Sequence, residues 1–150
     1  MNDWKKILIA VDQTETSRKA LSYTAGIISN LPDAELCLLY IYPEPPPNYY
    51  SSGGSLANYQ QEKTASAEGI FQTSMELLEK CGLKGNVKTR CRMADKITIS
   101  QAVLDVQEEG EFGTVVVGKR GVSKAEEFLF GSISNGIVHH CNDFTVWVVG

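Results

Sequence analysis

The chain has 150 residues, 43% of them hydrophobic and 21% charged, which bounds it to one soluble globular domain able to bury a core without metal or disulfide help. A net charge of −4 excludes a general nucleic-acid binder, whose footprint would be basic, and no apolar stretch reaches the length of a membrane span. Cys37, Cys81, Cys91 and Cys141 form no Cys-x-x-Cys pair, and Met1 to Lys6 is too short for a signal peptide, so the expected compartment is the cytoplasm with reduced thiols.

The first predicted element is Lys5 to Asp12, whose continuous apolar run Ile7 to Val11 suits a strand covered on both faces, as in a parallel sheet. Thr14 and Thr16 are cap candidates for a helix carrying Ala20, Leu21, Thr24, Ala25, Ile28 and Leu31 at helical spacing, closed by Pro32-Asp33. Glu35 to Tyr42 reads as a second buried strand containing Cys37. Pro43 to Ser55 then changes composition abruptly; its prolines argue against helix, and its length and position at a strand's carboxyl end make it a candidate flap over a site. A long helix from Ala57 to Cys81 presents Ile70, Phe71, Ser74, Leu77, Leu78 and Cys81, and Gly82 ends it.

Asn86 to Met93 alternates Val87, Thr89, Cys91 and Met93 with Lys88, Arg90 and Arg92, the pattern of an edge strand with one wet face and Cys91 in the core. Asp95 or Thr98 caps a third helix with Ile99, Ala102, Val103 and Val106, stopping near Gly110. The strand Thr114 to Gly118 follows. A last helix places Ile133, Gly136, Ile137 and His140 on one side, and Phe144 to Val149 is the final strand. Five strands alternating with four helices give an α/β domain with a parallel sheet.

The chemistry concentrates between Thr114 and His140. A β-branched run ends in Gly118, Gly121 follows, nine residues intervene, and Gly131-Ser132 opens the last helix. Glycine lets a backbone turn or approach a ligand closely. The free N–H groups and positive dipole end of the following helix seat an anion, and Ser132 and Ser134 add hydroxyl donors. The segment is neither a P-loop nor a dinucleotide fingerprint, since it lacks Gly-Lys-Ser/Thr and Gly-x-Gly-x-x-Gly.

The pattern Gly-x-x-Gly-(nine residues)-Gly-Ser resembles the nucleotide-binding signature of the universal stress protein family, in its ATP-binding branch. The resemblance covers nearly the whole chain and implies a Rossmann-like, adenine nucleotide alpha-hydrolase-like sheet of order 3-2-1-4-5 with helices on both faces. Asp12 and Gly118 would then face a shared crevice where the strand order reverses. It further implies ATP, AMP or ADP as ligand, with magnesium or manganese carried by the phosphates. The cofactor-binding residues would be Asp12 at the ribose, Ile41 beside adenine, and Val117, Gly118, Gly121, Gly131, Ser132, Ile133 and Ser134 along the loop and helix start. Among the nearby cations, Lys119, Arg120 and Lys124, Arg120 is the preferred phosphate partner because guanidinium matches phosphate geometry.

The two histidines, His139 and His140, are adjacent on a helix and cannot face one metal. No nucleophile, base and orienter assemble, so efficient catalysis is not indicated. The last strand alternates Val146 and Val148 with Thr145, Trp147 and Val149; the resemblance makes it an edge and implies a homodimer through it. Where many relatives begin that strand with Pro-Val, this chain has Thr145-Val146. The expected function is an adenine-nucleotide-binding regulatory or signalling homodimer of the stress response. The alternatives are a slow ATPase or phosphotransferase and a nucleotide-free dimerisation module. A pyrophosphatase-type enzyme of related architecture would carry Ser-Gly-Gly after the first strand, where Asp12-Gln13-Thr14 stands.

Overall fold

A computed structural model describes the chain except Met1, Lys84 and residues 120–131, with Ser132 defined in its backbone alone. The elements are β1 (Lys6–Ala10), α1 (Glu15–Ile28), β2 (Glu35–Pro43), α2 (Pro47–Ser51), α3 (Leu56–Lys80), β3 (Val87–Ala94), α4 (Ile99–Gly110), β4 (Thr114–Gly118), α5 (Ser132–His139) and β5 (Thr145–Val149). The five strands form one parallel sheet in the order β3-β2-β1-β4-β5. This is the expected adenine nucleotide alpha-hydrolase-like α/β fold.

β1 is the axis of the sheet. Ile7, Leu8 and Ile9 have no exposed surface, because β2 pairs on one edge, β4 on the other, and a helical layer covers each face. Alternation splits its side chains between two cores. Ile7 and Ile9 join Leu21, Ala25 and Ile28 of α1 and Ile70 and Leu78 of α3; Leu8 joins Val103 and Val106 of α4 and Ile137 of α5.

The amino end of β1 is locked to β4 at Gly113. Its N–H donates to Lys6 O (3.0 Å), its carbonyl accepts from Thr145 N (3.0 Å), and Thr114 Oγ1 donates to Trp4 O (2.6 Å). A Cβ at Gly113 would run into the Asp3 carbonyl, so glycine is required by close backbone approach.

The helix caps follow local chemistry. Thr14, Ser55 and Thr98 each accept a first-turn backbone N–H through the side chain, so Thr14 and Thr98 are the caps among the candidates. Gly82, at φ 84°, takes the left-handed conformation that follows α3.

Three sequence expectations are corrected here. The segment from Pro43 to Ser55 contains α2, because Pro47 sits in the first turn, where a missing N–H and fixed φ favour helix. The segment is packed down: Tyr49 lies 5.3 Å from Tyr59 between ring centroids, Tyr59 Oη donates to Pro43 O at 2.6 Å, and Glu44 accepts from the Lys96 amide. Cys91 is exposed, because β3 is the edge strand and its residues from Lys88 to Cys91 are exposed whichever face they point to. His140 lies beyond α5, exposed, with Nδ1 2.8 Å from Gly136 O, where it wraps the helix end instead of joining the apolar side.

Gly113→Ala is expected to destabilise the fold by about 1–3 kcal/mol through forced backbone displacement. By contrast, Thr24 Oγ1 is buried on α1 with no hydrogen-bond partner among the described residues. Replacing it in Thr24→Val removes an orphan hydroxyl and is expected to leave stability unchanged or raise it by about 1 kcal/mol. Urea unfolding midpoints of the two variants measure both effects.

Candidate functional site

At their carboxyl ends β1 and its neighbours part. The β1–β4 register runs through Ile9↔Val116, and β1–β2 pairing closes with Val11 N donating to Leu39 O at 2.9 Å. Past those points α1 and α4 cross on opposite faces, because β1 connects to β2 on one side of the sheet and β4 is reached from the other. The result is a crevice of about 110 Å³. Leu39, Ile41, Ile99, Val103, Val117 and Ile133 give it apolar walls, and Asp12, Thr14, Thr16, Ser17, Gly118 and Ser134 give it a polar end.

Backbone direction makes Ile41 informative. Along a strand, successive residues point their N–H and C=O to alternate edges, so Ile41 presents both groups to the same edge as Leu39. Leu39 meets β1 there; at Ile41, β1 has already ended. One donor and one acceptor two residues beyond the last rung therefore face the crevice, a pair suited to the hydrogen-bonding edge of a planar heterocycle.

Asp12 leaves β1 into a tight local network. Its Oδ1 accepts from Thr14 N at 2.7 Å and Thr14 Oγ1 at 2.5 Å; Thr14 Oγ1 in turn accepts from Ser17 N at 3.2 Å. Asp12 N donates to Ser17 Oγ at 3.0 Å. Thr14, and not Asp12, caps α1, so the carboxylate is exposed at the rim while fixed in direction.

Gly118 is needed for space. A Cβ there would lie 2.8 Å from Thr16 Cγ2 and 3.1 Å from Thr16 Cβ, so β4 ends directly against the first turn of α1. Its φ is not positive, so close approach and not a left-handed torsion calls for glycine here. Ser134 is buried, and its Oγ donates to Lys119 O at 2.8 Å, splicing α5 to the end of β4. Ile133, one position earlier, reaches the apolar wall.

A larger groove of about 600 Å³ runs between α1 and α3, past Arg18, Leu21, Gly69, Ile70, Leu77 and Lys80, and borders Asp12 from the other face. Apart from Asp12 and Gln13, it is walled by the sides of α1 and α3. The crevice, where strand ends and two helix N-termini converge, is the better-built site.

The Universal stress protein family model matches residues 3–150. The chain belongs to this family. Among curated protein sequences no significant match exists. In structure, the chain is similar to universal stress protein UspA from Lactobacillus plantarum, at 18% identity and TM-score 0.77, covering 99% of this chain and 100% of that one. It is also similar to the universal stress protein from Archaeoglobus fulgidus in complex with dAMP, at 15% identity, TM-score 0.68 and 97% coverage of both chains. A third is a universal stress protein family protein from Arabidopsis thaliana with AMP bound, at 14% identity and TM-score 0.64, covering 97% of this chain and 92% of that one. At these identities the likeness concerns the fold.

For this universal stress protein, the crevice gathers Asp12, Ile41, Val117, Gly118, Ile133 and Ser134 from four separate segments. Arg120, Gly121 and Gly131 lie outside the described residues, and Ser132 enters only as the first residue of α5. Sequence reasoning missed Thr14, Thr16 and Ser17 as site residues, although two of them stood out as cap candidates. It also read Ile99 and Val103 only as a helix's core face, which gave no signal that this face bordered a cavity. Residues 43–55, the candidate flap, line none of the crevice. Burial pushes the Tyr40 and Tyr42 phenols above their ordinary range, with Cys91 adding to the shift at each. Among the described residues no three His, Cys, Asp or Glu side chains come together to hold a metal, and no helix is long and apolar enough to cross a membrane.

Gly118→Ala is expected to cost about 1–3 kcal/mol by overpacking against Thr16. Adding Thr16→Ser removes the clashing methyl and should recover most of the loss, giving a coupling in a double-mutant cycle of unfolding free energies.

Proposed function

We propose that the crevice binds an adenine nucleotide, ATP or its AMP and ADP relatives, and that the protein works as a regulatory or signalling homodimer in a stress response. The observation that carries this reading is the Ile41 backbone pair set between apolar walls. An N–H can donate to adenine N1 while the adjacent C=O accepts from the exocyclic amine, and guanine offers the opposite pattern on that edge. Structural relatives bound to dAMP and AMP support the same ligand class.

The crevice, about 110 Å³ and open to solvent, suits a base and not a whole nucleotide. Ribose and phosphates would extend outward, toward Asp12, an acceptor for ribose hydroxyls, and toward the start of α5. There Gly118, Gly121, Gly131, Ser132 and Arg120 would supply close backbone approach, N–H donors and a cation; Val117, Ile133 and Ser134 would shape and brace the wall. ATP in particular is favoured by the complete glycine-serine pattern. Magnesium or manganese would be held chiefly by the phosphates.

The homodimer reading rests on β5. It is an edge strand whose Trp147 and Val149 pack on the α1 side and whose Val146 and Val148 pack on the other, with Tyr23 edge-on to Trp147 at 6.5 Å. Strand pairing with a second copy would satisfy its open backbone and cover Tyr23, which is 56% exposed.

The protein's thermal midpoint is expected to rise with AMP, ADP or Mg-ATP and not with GMP, by about 2.7 kcal/mol of stabilisation at a hundredfold excess over Kd. Equal responses to AMP and GMP, or none to either, would sink the adenine reading. Sedimentation should give a dimer that Trp147→Glu converts to monomer; a monomeric wild type would remove the homodimer.

A further inference from the structure

Ser17 sits in the first turn of α1, is 4% exposed, and lines the crevice. Its Oγ already accepts the Asp12 N–H at 3.0 Å, and its own backbone N–H is spent on Thr14 Oγ1 at 3.2 Å. Among the described residues the hydroxyl proton has no acceptor. A buried donor left unmatched is costly, and this one borders the cavity where a ligand would lie. The neighbouring hydroxyls are committed elsewhere: Thr14 Oγ1 gives its proton to Asp12 Oδ1, and Ser134 Oγ gives its proton to Lys119 O.

We propose that Ser17 is a positioning and ligand-contacting residue: its oxygen holds the Asp12 backbone while its proton is donated to an oxygen of the bound nucleotide. The inference rests on the adenine-nucleotide reading. Asp12 has two restraints, Thr14 on the carboxylate and Ser17 on the amide, and the second also bridges to the ligand. Without Ser17 Oγ the Asp12 amide loses its partner, the turn between β1 and α1 loosens, and the carboxylate no longer meets the ribose in a fixed direction. The acceptor oxygen belongs either to the ribose or to a phosphate, and both use the same O–H donor chemistry.

The test is calorimetric binding of AMP, adenosine and 3′-deoxy-AMP to wild type, Ser17→Ala, Asp12→Asn and the double variant. Ser17→Ala is expected to weaken AMP binding about tenfold, the loss of one hydrogen bond to a charged or polar partner. It should also collapse the AMP over 3′-deoxy-AMP preference as Asp12→Asn does, and the double variant should lose no further preference. A loss equal for AMP and adenosine assigns the acceptor to the ribose, and a loss larger for AMP than for adenosine assigns it to phosphate.

Should Ser17→Ala fail to fold, Ser17→Cys keeps the volume with a poorer donor and acceptor. Weaker AMP binding and an upfield move of the Asp12 amide proton are then expected. Wild-type affinity and preference in a folded Ser17 variant would overturn the inference while leaving the nucleotide reading standing. No AMP binding by the wild type would overturn that reading and the ligand contact together, and the Asp12 amide would still decide the positioning role.

Discussion

Enclosure of the middle of β1, Ile7 to Ile9, is the constraint on which the rest of this protein depends. Within a strand covered on both faces and paired on both edges, a polar side chain is tolerated only with a hydrogen-bond partner, as Thr114 has on β4, and an unpaired charge is not. Its first acid can therefore stand only where the strand escapes its neighbours, and Asp12 stands there. The same enclosure sends the chain to α1 on one face and requires β4 to be reached from the other. The crevice is what remains between these two departures, and its polar end and apolar walls are set by topology before any ligand is considered.

Close approach holds this arrangement together at both ends of β4. At the amino end Gly113 lets the Asp3 carbonyl lie against the sheet; at the carboxyl end Gly118 admits Thr16. Glycine here removes atoms and does not supply unusual torsions. The strand is gripped over five residues between two contacts that admit no methyl group, which fixes the crevice floor relative to α1. Ser134 extends that rigidity to α5 through Lys119, so the wall carrying Ile133 is braced to the strand.

Much of this was legible in the sequence for a simple reason. Buried parallel strands write themselves as unbroken apolar runs, and Ile7 to Val11 and Val115 to Val117 could be little else. Asp12 and Gly118 were readable as strand ends. What escaped was information that depends on neighbours across the fold. Pro47 reads as a helix breaker in sequence, because a proline's position within a helix is invisible until the helix start is known. Cys91 alternates correctly for a buried face, yet both faces of β3 are open at its middle. Ser17 resembles any first-turn serine; that its hydroxyl reaches back to Asp12 N requires the turn between them to be seen.

The two margins of the sheet are chemically unlike. On β3, Lys88 and Arg90 are exposed, Arg92 is locked to Glu109 by two hydrogen bonds of 2.9 and 2.6 Å, and Arg90 lies over Phe112. On β5 the alternating residues from Val146 to Val149 are apolar and half-buried. A sheet with one adhesive border and one repellent border has a built-in stopping rule. Were two copies to join through β5 as proposed, both apolar borders would be consumed and only the basic ones left outside, so growth would end at a pair and not propagate into a fibre.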